Sequence, residues 1–171
     1  MAEKYWYYLD DPQFHVRQYS VIPFLEKCST IIEIGCGLNP ISKFMHGDDT
    51  RYILVEPFLD PPLSPKTTLL KTKIEDLDVK SLNLEDYAFV MFGIDYFFLN
   101  EVFLHLWKNS KVAVFEANSA LQKHIEFMKS IKKIRQPDIE YDFDICWKGE
   151  LPLNSWPPIG KRKILIYFNG F

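Results

Sequence analysis

Two glycines, separated by one residue after a run of branched apolar residues, are the feature of the sequence best suited to hold a ligand. In STIIEIGCGLNPIS, residues 29–42, they are Gly35 and Gly37. Because a glycine lacks a Cβ atom, this loop allows a ligand to approach the backbone closely. A helix that begins after the loop would direct its free N–H groups and its positive dipole end at the same ligand. The loop alone is equally compatible with a packing role, so a second feature is needed.

A carboxylate further along the chain supplies that second feature. The run YILVE ends in Glu56, 21 positions after Gly35, and Pro57 follows it. An acid at the end of the second strand of an α/β sheet can accept hydrogen bonds from both hydroxyl groups of a ribose. Glu56 could instead only cap the strand end before Pro57. Its spacing from the glycine loop favours ribose binding.

The residues around the loop discriminate between nucleotide ligands. A dinucleotide fingerprint has a third glycine three residues after Gly37, where this chain has Pro40, so a nicotinamide-dependent oxidoreductase is disfavoured. Glu33, two residues before Gly35, would repel a pyrophosphate but attract an ammonium group. S-adenosylmethionine combines an ammonium group with a ribose and carries no phosphate. We interpret Cys36 as a small residue that fits the loop.

These segments resemble the motifs of the class I S-adenosylmethionine-dependent methyltransferases. EIGCGLNP (33–40) resembles their first motif, LVEP (54–57) their second, and VMFGIDYF (90–97) their fourth. TKIEDL (72–77) stands where the family places an apolar and acidic pair against the adenine. The resemblance extends over residues 12–171 and implies S-adenosylmethionine as the cofactor. The cofactor-binding residues that it implies are Glu33, Gly35, Cys36, Gly37, Glu56, Pro57, Ile74, Glu75, Gly93 and Asp95.

Methyl transfer from a sulfonium needs little catalytic machinery, because the leaving group is already activated and the protein mainly positions the acceptor. The Asn/Asp-Pro-Pro-aromatic motif of many amino-group methylating enzymes is absent, and GIDYF (93–97) takes its place. Asp95 could deprotonate or orient an acceptor, or else hold the cofactor or cap a helix. Tyr96 could line the acceptor pocket or simply pack. The other pocket candidates, at strand ends and on the first helix, are His15, Glu116, Asn118 and Trp156.

The elements that would position these residues alternate between short apolar runs and helical segments. Such alternation is typical of a doubly wound α/β fold. Strands are predicted at 30–35, 51–57, 67–73, 87–94, 111–118, 139–147 and 161–168, and helices at 12–28, 40–46, 79–85, 96–108 and 119–134. The proline-rich link before the last strand excludes a crossover helix, so the last two strands should pair antiparallel. The prediction is one domain, residues 1–171, with a seven-stranded, mostly parallel sheet and an antiparallel C-terminal pair.

One helix of the usual pattern is predicted to be missing. Residues 57–65, PFLDPPLSP, separate the second and third strands and contain four prolines, which no helix accommodates. One face of the sheet should therefore lack its usual cover. We hypothesise that a second copy of the chain, in a homodimer, or the aromatic N-terminal segment covers it. That segment, residues 1–28, contains YWYY (5–8), which either packs on the core or forms a lid.

Composition restricts the partners and the compartment. The net charge of −3 over 171 residues argues against a protein that grips nucleic acid non-specifically, so a small-molecule acceptor is favoured. The three cysteines are not spaced as metal ligands, and no metal site is expected. No signal peptide or membrane span is visible, which predicts a cytoplasmic protein with no membrane partner. The alternative function is a catalytically inactive methyltransferase-like binding protein.

Overall fold

A single seven-stranded sheet forms the centre of the computed structural model, which describes residues 12–47, 49–92, 99–119, 121–145 and 160–171. The strand order is β3-β2-β1-β4-β5-β7-β6, and the first five strands are parallel. The strands are β1 (Thr30–Ile34), β2 (Arg51–Val55), β3 (Thr67–Leu70), β4 (Tyr87–Met91), β5 (Val112–Asn118), β6 (Ile139–Ile145) and β7 (Gly160–Phe168). β7 runs antiparallel to both β5 and β6. The predicted seven-stranded architecture is confirmed.

Among the described residues, three α-helices accompany the sheet: α1 (Pro12–Leu25), α2 (Glu101–Asn109) and α3 (Gln122–Ile134). Asn100 caps α2, since its side chain accepts a hydrogen bond from the backbone N–H of Phe103. Each helix buries a stripe of residues three or four positions apart, as an amphipathic helix must when it covers a sheet. In α3 this stripe includes His124, Phe127 and Ile131.

Two apolar clusters fill the spaces on the two faces of the sheet. One cluster holds the side chains of α2 and α3 and is rich in aromatic rings, among them Phe103, Trp107 and Phe115. The other lies under α1, where Val21 and Leu25 pack on β1 and its neighbours. The central strands are buried along their whole length because helices cover both faces, as in other parallel sheets.

The connection between β2 and β3 contains no helix, as its prolines predicted. Residues 56–66 form an irregular segment, with bends at 57–58 and a turn at 65–66, in which Pro61 is buried. Leu54 of β2 is also fully buried, whereas the residues of β3 are only partly buried or exposed, so the predicted lack of cover does not extend to β2. The predicted helix at 40–46 is likewise shorter than expected. It is a single 3₁₀ turn, Ile41–Lys43.

The last described residues, 168–171, dock against α2 and α3. Gly170 has a left-handed backbone, with φ of 61°. Arg135 Nη1 donates hydrogen bonds to the carbonyl oxygens of Phe168, at 2.7 Å, and of Gly170. The Phe171 ring packs on Trp107 with 4.8 Å between ring centroids. This short segment therefore ties the end of β7 to two helices.

Within the part of the chain that the structure describes, no helix has both the length and the apolar character that crossing a membrane requires.

Candidate functional site

The glycine loop follows β1 at the carboxyl edge of the sheet, with both glycines in the left-handed region, at φ of 65° for Gly35 and 59° for Gly37. Residues with a Cβ adopt this region at a cost, so the loop needs glycine at both places. The Gly35 N–H donates to the Val55 carbonyl at 2.8 Å, which fixes the loop to β2. A Cβ atom on Gly37 would meet nothing within 4 Å. The space beside Gly37 is therefore open to a ligand.

Glu56 stands next to this loop, one residue beyond the end of β2. Its Oε2 accepts a hydrogen bond from the Gly37 N–H at 3.2 Å. Its Oε1 accepts from the N–H groups of Phe58 and Leu59, at 2.9 and 3.1 Å. The carboxylate thus joins the loop after β1 to the loop after β2. A carboxylate offers about four acceptor positions, so one remains on Oε2 for a hydroxyl group beside Gly37.

Glu33 lies below the loop, inside β1, and its side chain is almost fully buried, with 1% exposed. Its Oε2 accepts a hydrogen bond from the Ile41 N–H at 2.7 Å, at the start of the 3₁₀ turn. Burial raises the pKa of the Glu33 carboxyl from 4.5 to about 8, although the Ile41 bond and the nearby Arg17 lower it. A cationic ligand group beside Glu33 would favour its ionised form.

This buried carboxyl predicts a pH-dependent stability. Between pH 4.5 and about 8 the folded protein holds a proton on Glu33 that the unfolded chain has released, so the free energy of unfolding falls as pH rises. We expect Glu33→Gln, which keeps an acceptor for Ile41, to remove that decline. Urea denaturation of both proteins at several pH values from 5 to 9 measures it. His124 is present in both proteins, so its contribution to the pH dependence of stability cancels when the two proteins are compared. If the free energy of unfolding changes with pH in the same way for both proteins, the prediction is wrong.

Residues predicted for the adenine side follow β2 and β3. Pro57 is half-buried directly after Glu56, while Ile74 packs partly on the core and Glu75 is exposed, both in the 3₁₀ turn Ile74–Asp76. Sequence reasoning missed Phe58, whose ring is 73% exposed beside Glu56. An exposed aromatic ring offers a flat apolar surface on which a nucleobase can stack. The available signal in the sequence was an aromatic residue two positions after Glu56.

A buried group of charges lies at the end of β5. Glu116 is fully buried, and both its carboxylate oxygens accept from Arg17 Nη1, at 3.0 and 2.9 Å. Arg162 of β7 donates to Glu116 Oε1 at 3.2 Å. The Arg17 guanidinium also lies over the Phe92 ring, 5.8 Å from its centroid. Glu116 therefore holds two arginines in place, and direct contact with an acceptor stays a prediction for it.

The other pocket candidates are placed around this group. Asn118, at the end of β5, is buried, and its N–H donates to Nδ1 of His124 at 2.9 Å. Burial lowers the pKa of His124 to about 4, so the ring is neutral near pH 7 and can accept this bond. His15, on α1, packs its ring on Phe44, with 4.8 Å between centroids. Roles for Asn118 and His15 in the acceptor pocket stay predictions.

Four of the predicted site residues, Gly93, Asp95, Tyr96 and Trp156, lie outside the described residues. The segment that contains the first three begins directly after Phe92, at the carboxyl end of β4. Their roles stay predictions. Residues 1–11, with the YWYY cluster, also lie outside the described part.

Comparison with known proteins finds similarity in structure but not in sequence. No family model matches the chain, and no curated protein matches it. It is similar to the N-methyltransferase NodS from Bradyrhizobium japonicum WM9, with a TM-score of 0.62 and 12% identity, over 95% of this chain and 99% of that one. It is also similar to precorrin 8w decarboxylase from Methanobacterium thermoautotrophicum, with a TM-score of 0.63 and 13% identity, over 89% of each chain.

A third similar structure is the C-terminal domain of precorrin-6Y C5,15-methyltransferase from Rhodobacter capsulatus. Its TM-score is 0.59 at 14% identity, over 90% of this chain and 88% of that one. The three matches cover 89–95% of this chain, whose sheet includes the antiparallel strand pair that the sequence predicted. The chain therefore has the fold of the class I S-adenosylmethionine-dependent methyltransferases.

Proposed function

We propose that the protein binds S-adenosylmethionine and transfers its methyl group to a small-molecule acceptor. The observation that carries this proposal is the hydrogen bond between the Gly37 N–H and Glu56 Oε2. It brings the glycine loop and the ribose acid together at one edge of the sheet, in a fold shared with methyltransferases. Ligands of open α/β sheets bind at this carboxyl edge, outside the strand ends.

In this proposal the residues hold the cofactor from three sides. Glu56 accepts a hydrogen bond from a ribose hydroxyl, and the open space at Gly37 receives the nucleoside against the backbone. Phe58 and Pro57 offer apolar surface to the adenine, with Ile74 and Glu75 on the neighbouring turn. Glu33 faces the cofactor's ammonium group from below the loop. A small molecule is the favoured acceptor because the chain is acidic, with a net charge of −3.

The chemistry places modest demands on the protein. S-adenosylmethionine supplies an activated methyl group, which moves to the acceptor with its bond to sulfur breaking as the new bond forms. The protein's residues position the acceptor in line with that bond and exclude water. An acceptor that carries a proton also needs a base, and Asp95 is the residue we propose for it, with Tyr96 lining the pocket.

Calorimetric titration with S-adenosylmethionine and S-adenosylhomocysteine tests the proposal. We expect wild-type protein to bind both, and Glu56→Ala to weaken both by roughly 30-fold or more, because a carboxylate's hydrogen bonds contribute about 1.5–3 kcal/mol each. Glu26→Ala is the matched control. Glu26 is exposed near the end of α1, so the same change of charge there should leave both affinities unchanged.

Two results would overturn the cofactor assignment. One is the absence of binding of either ligand to wild-type protein that is folded by circular dichroism. The other is unchanged affinity in Glu56→Ala. Binding without methyl transfer to any acceptor, in a screen of amines, phenols, thiols and RNA with radiolabelled cofactor, would instead favour the inactive binding protein.

A further inference from the structure

The placement of Glu33 and Arg17 on one face of the sheet points to a second recognition element in the candidate site. Strand register sets Glu33 of β1 level with Val90 of β4, which is in turn level with Val114 of β5. Side chains two positions apart on a strand share a face, so Glu116 lies on the same face as Val114. Glu33 and Glu116 therefore face the α1 side of the sheet, on either side of β4.

Arg17 reaches into this face from α1, where it bonds to Glu116 and is near enough to Glu33 to affect its ionisation. Its Nη1 bonds to Glu116 at 2.9 Å, and its guanidinium lies over the ring of Phe92, the residue directly after β4. The charge of Arg17 also lowers the pKa of the Glu33 carboxyl, although burial raises that pKa by a larger amount. The Arg17 guanidinium thus lies close to the end of β4, and Glu33 is on the neighbouring strand, β1.

The remaining residues fix which way a nucleoside ligand would point. The ribose acid Glu56 follows β2, and the glycine loop follows β1. Strands lie about 4.8 Å apart. With its ribose at β2 and β1, the rest of such a ligand extends in the sheet order β2-β1-β4-β5, toward Glu33 and then Arg17. The amino-acid end of S-adenosylmethionine carries an ammonium group and a carboxylate, one for each of these two side chains.

We propose that Arg17 binds the carboxylate of the cofactor's amino-acid end, opposite Glu33, which faces its ammonium group. This inference rests on the proposed function. Arg17 and Glu33 then form a pair of opposite charges that matches a zwitterion. The pair selects a nucleoside bearing an amino acid over one that lacks it.

The rest of the cluster explains how Arg17 is held for this role. An arginine on a helix has many rotamers, and fixing them on binding costs affinity. Glu116 removes that cost because it holds Nη1 through both carboxylate oxygens before any ligand arrives. Arg162, from β7, bonds to the same carboxylate and fixes its orientation. Glu116 and Arg162 are thus positioning residues, and Arg17 is the one that meets the ligand.

The test compares three adenosine ligands by calorimetry. S-adenosylhomocysteine has the whole amino-acid end, its decarboxylated analogue lacks only the carboxylate, and 5′-methylthioadenosine lacks the amino acid. In wild-type protein we expect loss of the carboxylate to cost roughly tenfold or more in affinity, the range of a charge-assisted hydrogen bond. Arg17→Gln should remove this difference while leaving 5′-methylthioadenosine binding within about twofold of wild type. Arg17→Lys should restore part of it.

Lys66→Gln is the control for the change of charge, because Lys66 is exposed and pairs with Asp49 away from the cluster. It should preserve the full preference for S-adenosylhomocysteine. The inference is overturned if wild-type protein binds the decarboxylated analogue as tightly as S-adenosylhomocysteine. That comparison needs no variant and stands even where Arg17→Gln fails to fold. It is also overturned if Arg17→Gln weakens all three ligands equally. If the proposed function itself is wrong, the result is different, because none of the three adenosine ligands then binds to the wild-type protein.

Discussion

Replacing Glu116 by alanine is expected to destabilise the protein by about 3–5 kcal/mol, which is the usual cost of removing one partner from a buried ion pair. Glu116 is fully buried and accepts hydrogen bonds from Arg17 of α1 and Arg162 of β7. Without its carboxylate, two guanidinium groups repel each other in a region of low dielectric. The midpoint of urea denaturation, converted with the measured slope, gives the free energy of unfolding.

Glu140→Ala is a matched control, since it removes the same side chain from an ion-pair group that solvent reaches. Glu140 is 30% exposed and pairs with Lys132 and Lys163. Its loss should cost about 1 kcal/mol or less, as for other surface ion pairs. A second variant, Arg17→Leu combined with Glu116→Leu, removes one of the two guanidinium groups together with the carboxylate and should be less destabilising than Glu116→Ala. Equal costs for Glu116→Ala and Glu140→Ala would show that the buried cluster is not a structural necessity.

Gly170→Ala is the second substitution with a large expected effect. A Cβ atom there would lie 1.7 Å from the carbonyl oxygen of Lys108 and 2.5 Å from its carbon, both in the backbone of α2. The left-handed φ adds about 1–2 kcal/mol for any residue with a side chain. Residues 168–171 must then move away, and the Arg135 hydrogen bonds and the Trp107 contact with Phe171 are lost. We expect Gly170→Ala to lower the free energy of unfolding by about 2–4 kcal/mol in total.

Gly47→Ala serves as its control, because a Cβ atom at Gly47 would meet only Thr50 Oγ1, at an ordinary 3.5 Å. The free energy of unfolding should change by about 0.5 kcal/mol or less there. A Gly170→Ala protein as stable as Gly47→Ala would mean that residues 168–171 do not hold α2 to the sheet.

The fold could be predicted from the sequence because its signals are local. Each buried strand is a short apolar run such as TIIEI, and the prolines between β2 and β3 exclude a helix on steric grounds alone. Errors arose where local signals compete. The helix predicted at 119–134 begins only at Gln122, and the Ser119 hydroxyl, which lies before it, donates to the Lys161 carbonyl at 2.7 Å.

The candidate site was predictable only where the partners are close in sequence or fixed by motif spacing. Glu33, the glycine loop and Glu56 belong to this class. The cluster of Arg17, Glu116 and Arg162 does not, because its members are 99 and 46 positions apart. No periodicity relates them, and only the sheet register brings α1, β5 and β7 together. That is why the contacts of Glu116 with the two arginines could not be predicted from the sequence, while its contact with an acceptor stays a prediction.

The sheet order has a consequence for how the chain is made. β7 is the last strand along the chain, yet it lies inside the sheet, between β5 and β6. During synthesis β5 therefore has no neighbour on one side until the ribosome has released residues up to Phe168. Its unpaired edge is a template for association with other nascent chains, and β6 has nothing to pair with in the meantime. Arg162 arrives in the same step, so the charge cluster and the sheet are completed together once β7 has left the ribosome.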